Sequence, residues 1–218
     1  MIKAVLFDLD GTLLDRDSTV RLLLRDQYAT FASHLRHIDR EVFVSRVLAL
    51  DEHGHGEKTA ALYATIVDKL GLPATLAADL LDHFWGRYHA FCRPFADVVP
   101  TLSELRHRGM QLGILTNGTQ RVQDGAIRAL GILSYFDAVL ISEVEGVRKP
   151  DRRIFRKALD RLGVDAAECC HVGDHPVADA TAAKEAGLLA IWKRTSYWSP
   201  PAADISAIDT LSEVLSHV

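Results

Sequence analysis

The sequence predicts an α/β fold, in which a Rossmann-like parallel sheet forms the core and an α-helical bundle is inserted near the N-terminus. Three observations lead to this prediction. Short, nearly continuous apolar runs recur along the chain, as in strands that are covered on both faces. Helical stretches separate these runs, which is the order of elements in a parallel sheet with crossover helices. One long interval after the first run has helical spacing throughout.

Five apolar runs are the predicted strands. They are AVLFD (4–8), QLGILT (111–116), DAVLIS (137–142), CCHVGD (169–174) and LLAIW (188–192). Between the later runs lie helix candidates such as TLSELRHRG, RIFRKALDRLG and DATAAKEAG, which close on a glycine as helices often do. From Ala96 onward strands and helices alternate regularly, so we expect this part of the chain to form most of the α/β core.

The first and second strands are separated by about ninety residues, which is too long for a loop. Apolar residues from Val20 to Ile38 recur every three or four positions and predict one helix. Shorter stripes predict three more helices, the last ending near Phe91. The interval is therefore predicted to be a four-helix bundle. We place this helical domain at residues 15–95 and the α/β core at residues 1–14 and 96–218.

Composition narrows the classes of partner. The chain of 218 residues has 25 basic and 29 acidic residues and no basic run, which argues against nucleic acid. No window has the roughly 20 apolar residues of a membrane helix, and the N-terminus does not resemble a signal peptide. We expect no membrane partner and a cytoplasmic location. The three cysteines have no zinc-site spacing and are predicted to be reduced thiols. The oligomeric state stays open.

The first predicted strand ends in two carboxylates. In an extended segment alternate side chains point the same way, so Asp8 and Asp10 emerge on one side while Leu9 faces the other. Two carboxylates in one small volume repel each other unless a cation, a shared proton or open water offsets the repulsion. A solvated strand end is the simpler alternative, since aspartate favours turns.

Other polar residues follow the later strands, at the sheet edge where open α/β folds bind ligands. They are Thr116 and Asn117 after the second strand, Lys149 after the third, and Asp174 with Asp179 after the fourth. Taken alone, Lys149 could be an exposed loop charge, and Thr116 and Asn117 could cap the following helix.

Together these residues suit a phosphoryl group held against a hard cation. Magnesium prefers oxygen ligands and commonly takes one or two carboxylates, so Asp8 and Asp174 are candidate ligands. Asp8 can also attack phosphorus and form an aspartyl-phosphate, while Asp10 handles the proton. Lys149 would balance the charge of the phosphoryl oxygens, and Thr116 would bind them with the N–H groups that follow it.

Four further residues are predicted to support the site or to contact substrate. Asn117 belongs to the predicted phosphate cradle, and Asp179 would orient Lys149 or a metal-bound water. Arg16 and His175 are candidate substrate contacts, although a solvated helix start would explain Arg16 equally well. His53 and His55 lie close together, but ten histidines in the chain make such neighbours common, so we do not predict a second metal there.

The stretches DLDGTL, LTNG, KPD and GDHPVAD, in this order and at strand ends, resemble the four motifs of the haloacid dehalogenase superfamily. The inserted helices resemble that superfamily's bundle-type cap. The resemblance implies that Asp8 is the nucleophile and Asp10 the general acid and base. It implies phosphate binding by Thr116 and Lys149. It also implies magnesium held by Asp8, Asp174 and the backbone carbonyl of Asp10.

The resemblance implies a magnesium-dependent phosphatase that acts on a small soluble phosphate monoester, such as a sugar phosphate or a nucleoside monophosphate. Dehalogenases of the superfamily need no aspartate two residues after the nucleophile, so Asp10 argues against dehalogenation. Three alternatives remain: a phosphomutase on the same core, a haloacid dehalogenase, and a non-catalytic binding protein. Substrate identity would depend on helical-domain residues and is not predicted.

Overall fold

The computed structural model describes residues 1–54, 56, 59–202 and 204–218. The chain forms two compact units. The discontinuous unit consists of residues 1–15 and 94–218, and the helical unit consists of residues 16–93. The predicted boundaries after residues 14 and 95 lie one and two residues from the observed ones, after residues 15 and 93.

Six strands and ten α-helices of various lengths are described. The strands are β1 (Ala4–Phe7), β2 (Gln111–Thr116), β3 (Ala138–Ile141), β4 (Cys169–Gly173), β5 (Leu189–Lys193) and β6 (Ser206–Ile208). The helices are α1 (Arg16–Thr30), α2 (Ala32–Leu35), α3 (Arg40–Asp51), α4 (Thr59–Lys69), α5 (Leu76–Phe91), α6 (Val98–His107), α7 (Gln120–Ala129), α8 (Ser142–Glu145), α9 (Arg152–Leu162) and α10 (Ala182–Glu185). None of them is long and apolar enough to cross a bilayer.

The strands form one parallel sheet in the order β3-β2-β1-β4-β5-β6, which confirms the Rossmann-like α/β prediction. β1 lies in the middle, with Ala4 opposite Gln111 on one side and Cys169 on the other. All four residues of β1 are fully buried, as expected for a strand covered on both faces. The strand order places the ends of β2, β1 and β4 side by side.

Two details of the discontinuous unit differ from the sequence prediction. β6 was not predicted, because Ser206, Ala207 and Ile208 make a short edge strand without an apolar run. The helix predicted over DATAAKEAG begins with a π-helical turn at Pro176–Thr181 and continues as α10. This wide turn directly follows β4, and Asp179 lies within it.

The helical unit contains the four predicted helices, but the first is shorter than its apolar stripe. The helix predicted as far as Ile38 ends at Thr30, and a one-turn helix, α2, follows Phe31. The hydroxyl of Thr30 donates to the carbonyl oxygen of Asp26, a local bond that tends to bend helices. Leu35 is nevertheless buried, so the apolar stripe continues across the break.

A polar pair lies inside the helical unit. Gln27 of α1 is fully buried; its amide nitrogen donates to the carbonyl oxygen of Leu80, at 2.8 Å, and its amide oxygen accepts from the hydroxyl of Tyr63, at 3.0 Å. This network links α1, α4 and α5. Both polar atoms of the Gln27 side chain are therefore satisfied.

Candidate active site

The polar residues predicted at the strand ends lie together at one edge of the sheet. Asp8 follows β1 and is 7% exposed, Asp174 follows β4 and is 5% exposed, and Thr116 ends β2 and is 1% exposed. The backbone N–H of Asp8 donates to the carbonyl oxygen of Val172, so the β1–β4 ladder continues to the first carboxylate. The solvated-strand-end alternative for Asp8 is therefore wrong.

Lys149 is buried between two carboxylates. Its ammonium nitrogen Nζ lies 2.6 Å from Oδ1 of Asp8 and 2.5 Å from Oδ1 of Asp179, and the residue is 3% exposed. The alternative of an exposed loop charge is therefore wrong. Burial acts to lower the pKa of Lys149, but Asp179 and Asp8 outweigh it and raise that pKa.

Asn117 holds the backbone of Lys149. Its side-chain nitrogen donates to the carbonyl oxygen of Lys149, and its side-chain oxygen accepts from the N–H of Lys149, both at 2.9 Å. Both polar groups of this side chain are engaged in positioning the lysine. The second N–H of the side-chain amide and the backbone of Asn117 are left for the predicted phosphate cradle.

Asp179 is surrounded by donors. Oδ1 contacts Lys149 and, at 3.2 Å, Nε2 of His171, while Oδ2 accepts from the backbone N–H of His175. Burial acts to raise the pKa of Asp179, but Lys149 and His171 outweigh it and hold that pKa well below its usual range. Asp179 is therefore a permanent anion, and its contacts orient Lys149.

Asp174 is held from two sides. The hydroxyl of Tyr197 donates to Oδ2 of Asp174 at 3.0 Å, and the indole N–H of Trp192 donates to its backbone oxygen at 2.6 Å. The described residues give no hydrogen bond to Oδ1 of Asp174 or to Oδ2 of Asp8. Each of these two carboxylates thus keeps an oxygen available to a ligand.

The site has more negative charge than its own cation offsets. Three buried carboxylates, those of Asp8, Asp174 and Asp179, surround the ammonium of Lys149. Burial and then the neighbouring Asp179 raise the pKa of Asp174 to about 7. Burial raises the pKa of Asp8 well above its usual value, against the opposing effect of Lys149. Such an imbalance is what a bound cation would remove.

The oxygen cluster can accommodate a metal ion. Oxygen atoms of Asp8, Asp174 and Asp179 lie within 4.8 Å of one another. Asp179 is the least suitable ligand, because both its oxygens already accept hydrogen bonds. Carboxylate oxygens suit magnesium, so the donor set fits that ion. The backbone oxygen of Asp10, expected as a further ligand, belongs to the adjoining turn.

The turn after Asp10 is shaped by Gly11, which has φ +79°. A Cβ atom at this position would lie 2.5 Å from Oδ2 of Asp174, so a larger residue would displace that carboxylate. The backbone oxygen of Gly11 accepts from the ammonium of Lys193, at 3.0 Å. The glycine therefore serves both the turn and the close approach of Asp174.

The side chain of Asp10 contacts a residue from α7. Oδ2 of Asp10 accepts from the amide nitrogen Nε2 of Gln123, at 2.8 Å. The same nitrogen lies 3.2 Å from Oγ1 of Thr116. Asp10 is half-buried, whereas Gln123 is 3% exposed.

The two candidate substrate contacts have structural partners of their own. Arg16, in the helical unit, forms a two-pronged ion pair with Asp51, at 2.5 and 2.9 Å. His175 accepts hydrogen bonds from the N–H groups of Val177 and Ala178 through Nδ1, and thereby caps the π-helical turn. These contacts give both residues a local role, and their roles as substrate contacts stay predictions.

The histidines of the helical unit do not make a described metal cluster. Nδ1 of His53 lies 2.8 Å from the carboxylate of Asp17, which makes it an ion-pair partner or hydrogen-bond donor to that residue. His55 lies outside the described residues.

Four residues near the carboxylates were missed by the sequence analysis. They are Gln123, His171, Lys193 and Tyr197. His171 and Lys193 lie in otherwise apolar strands and are buried. Their place in such strands was the one signal in the sequence, because a buried polar group there needs a partner. Gln123 and Tyr197 gave no signal, because nothing local relates them to Asp10 or Asp174.

A family model and known proteins of similar sequence were compared with the chain, and they agree on one family. A model described as haloacid dehalogenase-like hydrolase matches residues 2–187. A glyceraldehyde 3-phosphate phosphatase of Pyrococcus abyssi is 32% identical over 195 residues, which are 88% of this chain and 81% of the relative.

Two solved structures are similar over almost the whole chain. A HAD phosphatase from Thermococcus onnurineus is 28% identical, with a TM-score of 0.66 and 99% and 97% of the two chains covered. A 2-haloacid dehalogenase from Pseudomonas syringae pv. Tomato DC3000 is 31% identical, with a TM-score of 0.62 and the same coverage. The fold is thus shared by enzymes named for two different chemistries.

Proposed function

Because the chain belongs to the haloacid dehalogenase-like hydrolases, we propose that it is a magnesium-dependent phosphatase for small phosphate monoesters. One observation carries the proposal: the ammonium of Lys149 lies 2.6 Å from the carboxylate of Asp8, with a second aspartate, Asp10, two residues further on. A nucleophile, a phosphate-binding cation and a proton carrier are thus grouped at one sheet edge.

The proposed reaction has two steps. An oxygen of Asp8 attacks phosphorus and the ester bond breaks, while Asp10 gives a proton to the departing oxygen. Asp10 then takes a proton from the water that attacks the aspartyl-phosphate, and phosphate leaves as Asp8 is restored. Lys149 and the hydroxyl of Thr116 bind the phosphoryl oxygens, which carry negative charge throughout.

Asp8, Asp174 and the backbone oxygen of Asp10 would hold magnesium. The raised pKa values of Asp8 and Asp174 support this part of the proposal, since burial and the neighbouring carboxylate of Asp179 disfavour the charged forms that a cation would stabilise. When bound, the ion would offset that charge and polarise the phosphoryl group. Asp179 fixes Lys149 beside the nucleophile, and Tyr197 fixes Asp174.

The substrate class follows from the relatives. One of them is named for glyceraldehyde 3-phosphate and covers most of this chain, and a shorter match, 43% identical over 91 residues, is named phosphoserine phosphatase in Thermus thermophilus. Both names refer to small, water-soluble monoesters. We therefore propose phosphorylated three-carbon compounds as the first substrates to test, ahead of sugar phosphates and nucleoside monophosphates.

Dehalogenation is the second candidate, because a similar structure carries that name. The carboxylate of Asp10 opposes it, since displacement of halide from carbon needs no proton donor for the leaving group. A phosphomutase would use the same residues and differ in the fate of the phosphoryl group. The role of the helical unit as a cap that selects substrates rests on the resemblance and stays a prediction.

A substrate panel tests the proposal. Purified protein is incubated with phosphate monoesters, including glyceraldehyde 3-phosphate and phosphoserine, with magnesium or with excess chelator, and phosphate release is measured. A 2-haloacid, followed by halide release, and glucose 1-phosphate, followed by formation of the 6-phosphate, are added as the two alternatives.

We expect phosphate release that needs magnesium and is absent from Asp8→Asn. Halide release without metal would favour the dehalogenase, and isomerisation without phosphate release would favour the mutase. Inertness towards every compound would contradict the proposal as stated.

A further inference from the structure

The amide of Gln123 joins three oxygen atoms of the site. Its nitrogen Nε2 lies 2.8 Å from Oδ2 of Asp10, 2.8 Å from the backbone oxygen of Asn117 and 3.2 Å from Oγ1 of Thr116. Gln123 is 3% exposed and belongs to α7, so its side chain reaches the strand ends from a neighbouring helix. No other described side chain hydrogen-bonds to the carboxylate of Asp10.

The orientation of this amide is determined by its surroundings. The backbone oxygen of Asn117 can only accept a hydrogen bond, so the atom of Gln123 that faces it must be the donor, Nε2. The same end of the amide faces Asp10. Gln123 therefore donates to Asp10 through the oxygen Oδ2.

The other end of the amide has no such partner. Oε1 of Gln123 is buried and accepts no hydrogen bond from the described residues. A buried acceptor without a partner disfavours the folded state, and an apolar side chain of similar length would avoid it. The donor end also satisfies the backbone oxygen of Asn117, so the glutamine serves the local structure as well as the carboxylate of Asp10.

The neighbouring backbone makes room for the amide. A Cβ atom at Gly118 would lie 2.5 Å from Nε2 of Gln123. Any larger residue at position 118 would push the amide away from its three oxygens. The LTNG stretch thus accommodates a residue that lies five positions beyond it in the sequence.

We propose that Gln123 is a positioning residue that holds Oδ2 of Asp10 in place, so that Oδ1 is the oxygen that exchanges the proton. The inference rests on the proposed phosphatase function. In the first step the proton passes from Oδ1 to the ester oxygen as that oxygen leaves phosphorus. In the second step Oδ1 takes a proton from the attacking water.

Loss of this contact has a specific kinetic signature. An alkyl phosphate needs protonation of its leaving oxygen, whereas a nitrophenyl phosphate needs little, so misplacement of Asp10 slows the first step only for the alkyl ester. Hydrolysis of the phosphoenzyme needs Asp10 as a base with either substrate. General damage to the fold would instead slow both substrates alike.

The test compares Gln123→Met, Gln123→Glu and Gln120→Met. Methionine fills the volume of Gln123 without a donor, and glutamate replaces the donor with an acceptor beside Asp10. Gln120 is exposed on the same helix and provides the matched control. kcat/KM is measured with an alkyl and a nitrophenyl phosphate, and phosphoenzyme is trapped by acid quench.

For Gln123→Met we expect kcat/KM with the alkyl phosphate to fall about 10- to 100-fold, the usual effect of losing an outer partner of a functional group. With nitrophenyl phosphate kcat/KM should fall less than threefold, and phosphoenzyme should accumulate. Gln123→Glu should be at least as slow with the alkyl ester. The thermal midpoint of Gln123→Met should stay within about 3 °C of wild type.

Equal losses with both esters, or alkyl-ester kinetics within twofold of Gln120→Met, would overturn the inference, as would near-wild-type rates in Gln123→Glu. If the wild type hydrolyses nothing, the proposed function fails by itself. A double-mutant cycle of Asp10→Ala and Gln123→Met, measured as thermal midpoints, then tests the hydrogen bond between Gln123 and Asp10. Additive shifts of the midpoint would exclude an interaction between the two side chains, and non-additive shifts would support it.

Discussion

Polar side chains are buried in both units of the chain, but they are balanced differently. In the helical unit two polar sets are matched: Gln27 uses both amide atoms, and Arg16 pairs with Asp51. At the sheet edge of the discontinuous unit, two of three clustered carboxylates contact the ammonium of Lys149, and burial raises the pKa of the third, Asp174, to about 7.

The difference separates groups that stabilise from groups that bind and react. A satisfied pair adds modestly to stability. Loss of one member leaves the other buried without a hydrogen-bond partner, which lowers the free energy of unfolding by more than the pair contributed. An unbalanced cluster contributes little stability and retains charge for a ligand. Substitutions at the sheet edge should therefore abolish activity and leave the fold intact, while substitutions in the helical pairs should do the reverse.

The largest expected effect is that of Asp8→Asn. A neutral amide is a poor nucleophile, so turnover should fall by about 10⁴-fold or more, in line with removal of a nucleophile from other enzymes. The thermal midpoint should not fall, because one of three mutually repelling carboxylates is removed and Lys149 still forms its ion pair with Asp179. Steady-state kinetics and a thermal melt of the same preparation check both halves. A variant that is active, or one that unfolds more than 5 °C early, would contradict the contrast.

The next largest loss of turnover is expected for Asp10→Asn. It leaves Asp8 and Lys149 in place and removes the proton carrier, which is typically worth about 10²–10⁴ in rate. With nitrophenyl phosphate the phosphorylated Asp8 should accumulate, since its hydrolysis lacks a base. Acid-quenched protein digested and analysed by mass spectrometry would locate the phosphate. Label on any other residue would contradict the assignment of Asp8.

Magnesium should stabilise the discontinuous unit through its carboxylates. A ligand at about 100 times its Kd adds about 2.7 kcal/mol to the free energy of unfolding, or roughly 5–10 °C for a chain of this size. Asp174→Asn removes a proposed ligand and should lose most of that shift. Tyr63→Phe, in the helical unit, should keep it. The measurement is a thermal melt with magnesium titrated into metal-free protein, and an undiminished shift in Asp174→Asn would exclude this carboxylate as a ligand.

The smallest expected effects on activity are in the helical unit. Tyr63→Phe leaves Oε1 of Gln27 buried without its donor, which should lower the free energy of unfolding by about 1–3 kcal/mol. kcat should stay within twofold of wild type. Tyr28→Phe is the matched control. The hydroxyl of Tyr28 donates to the carbonyl oxygen of Ile38 at a half-buried site, so its loss should lower the free energy of unfolding by less. Denaturant unfolding compares the two, and equal costs would show that burial does not set the penalty.

The sequence by itself determined the α/β class and most of the elements. Short, nearly continuous apolar runs that alternate with helical stretches are typical of strands covered on both faces, and the helical stripes of the insertion are periodic over many residues. It also determined which carboxylates meet, since the ends of parallel strands share one edge. Asp8, Asp174 and Lys149 lie together for that reason. The family follows from the same strand-end motifs.

Only the tertiary structure decided how those groups are held. Asn117 holds the backbone of Lys149, Tyr197 holds Asp174 and Gln123 holds Asp10, across 32, 23 and 113 residues of chain respectively. The sequence also did not reveal the helix break at Phe31 or the edge strand β6. Apolar periodicity is a local property that survives in a single sequence. The partner of a buried polar atom depends instead on which helix or loop packs over it, and that is set by the folded chain as a whole.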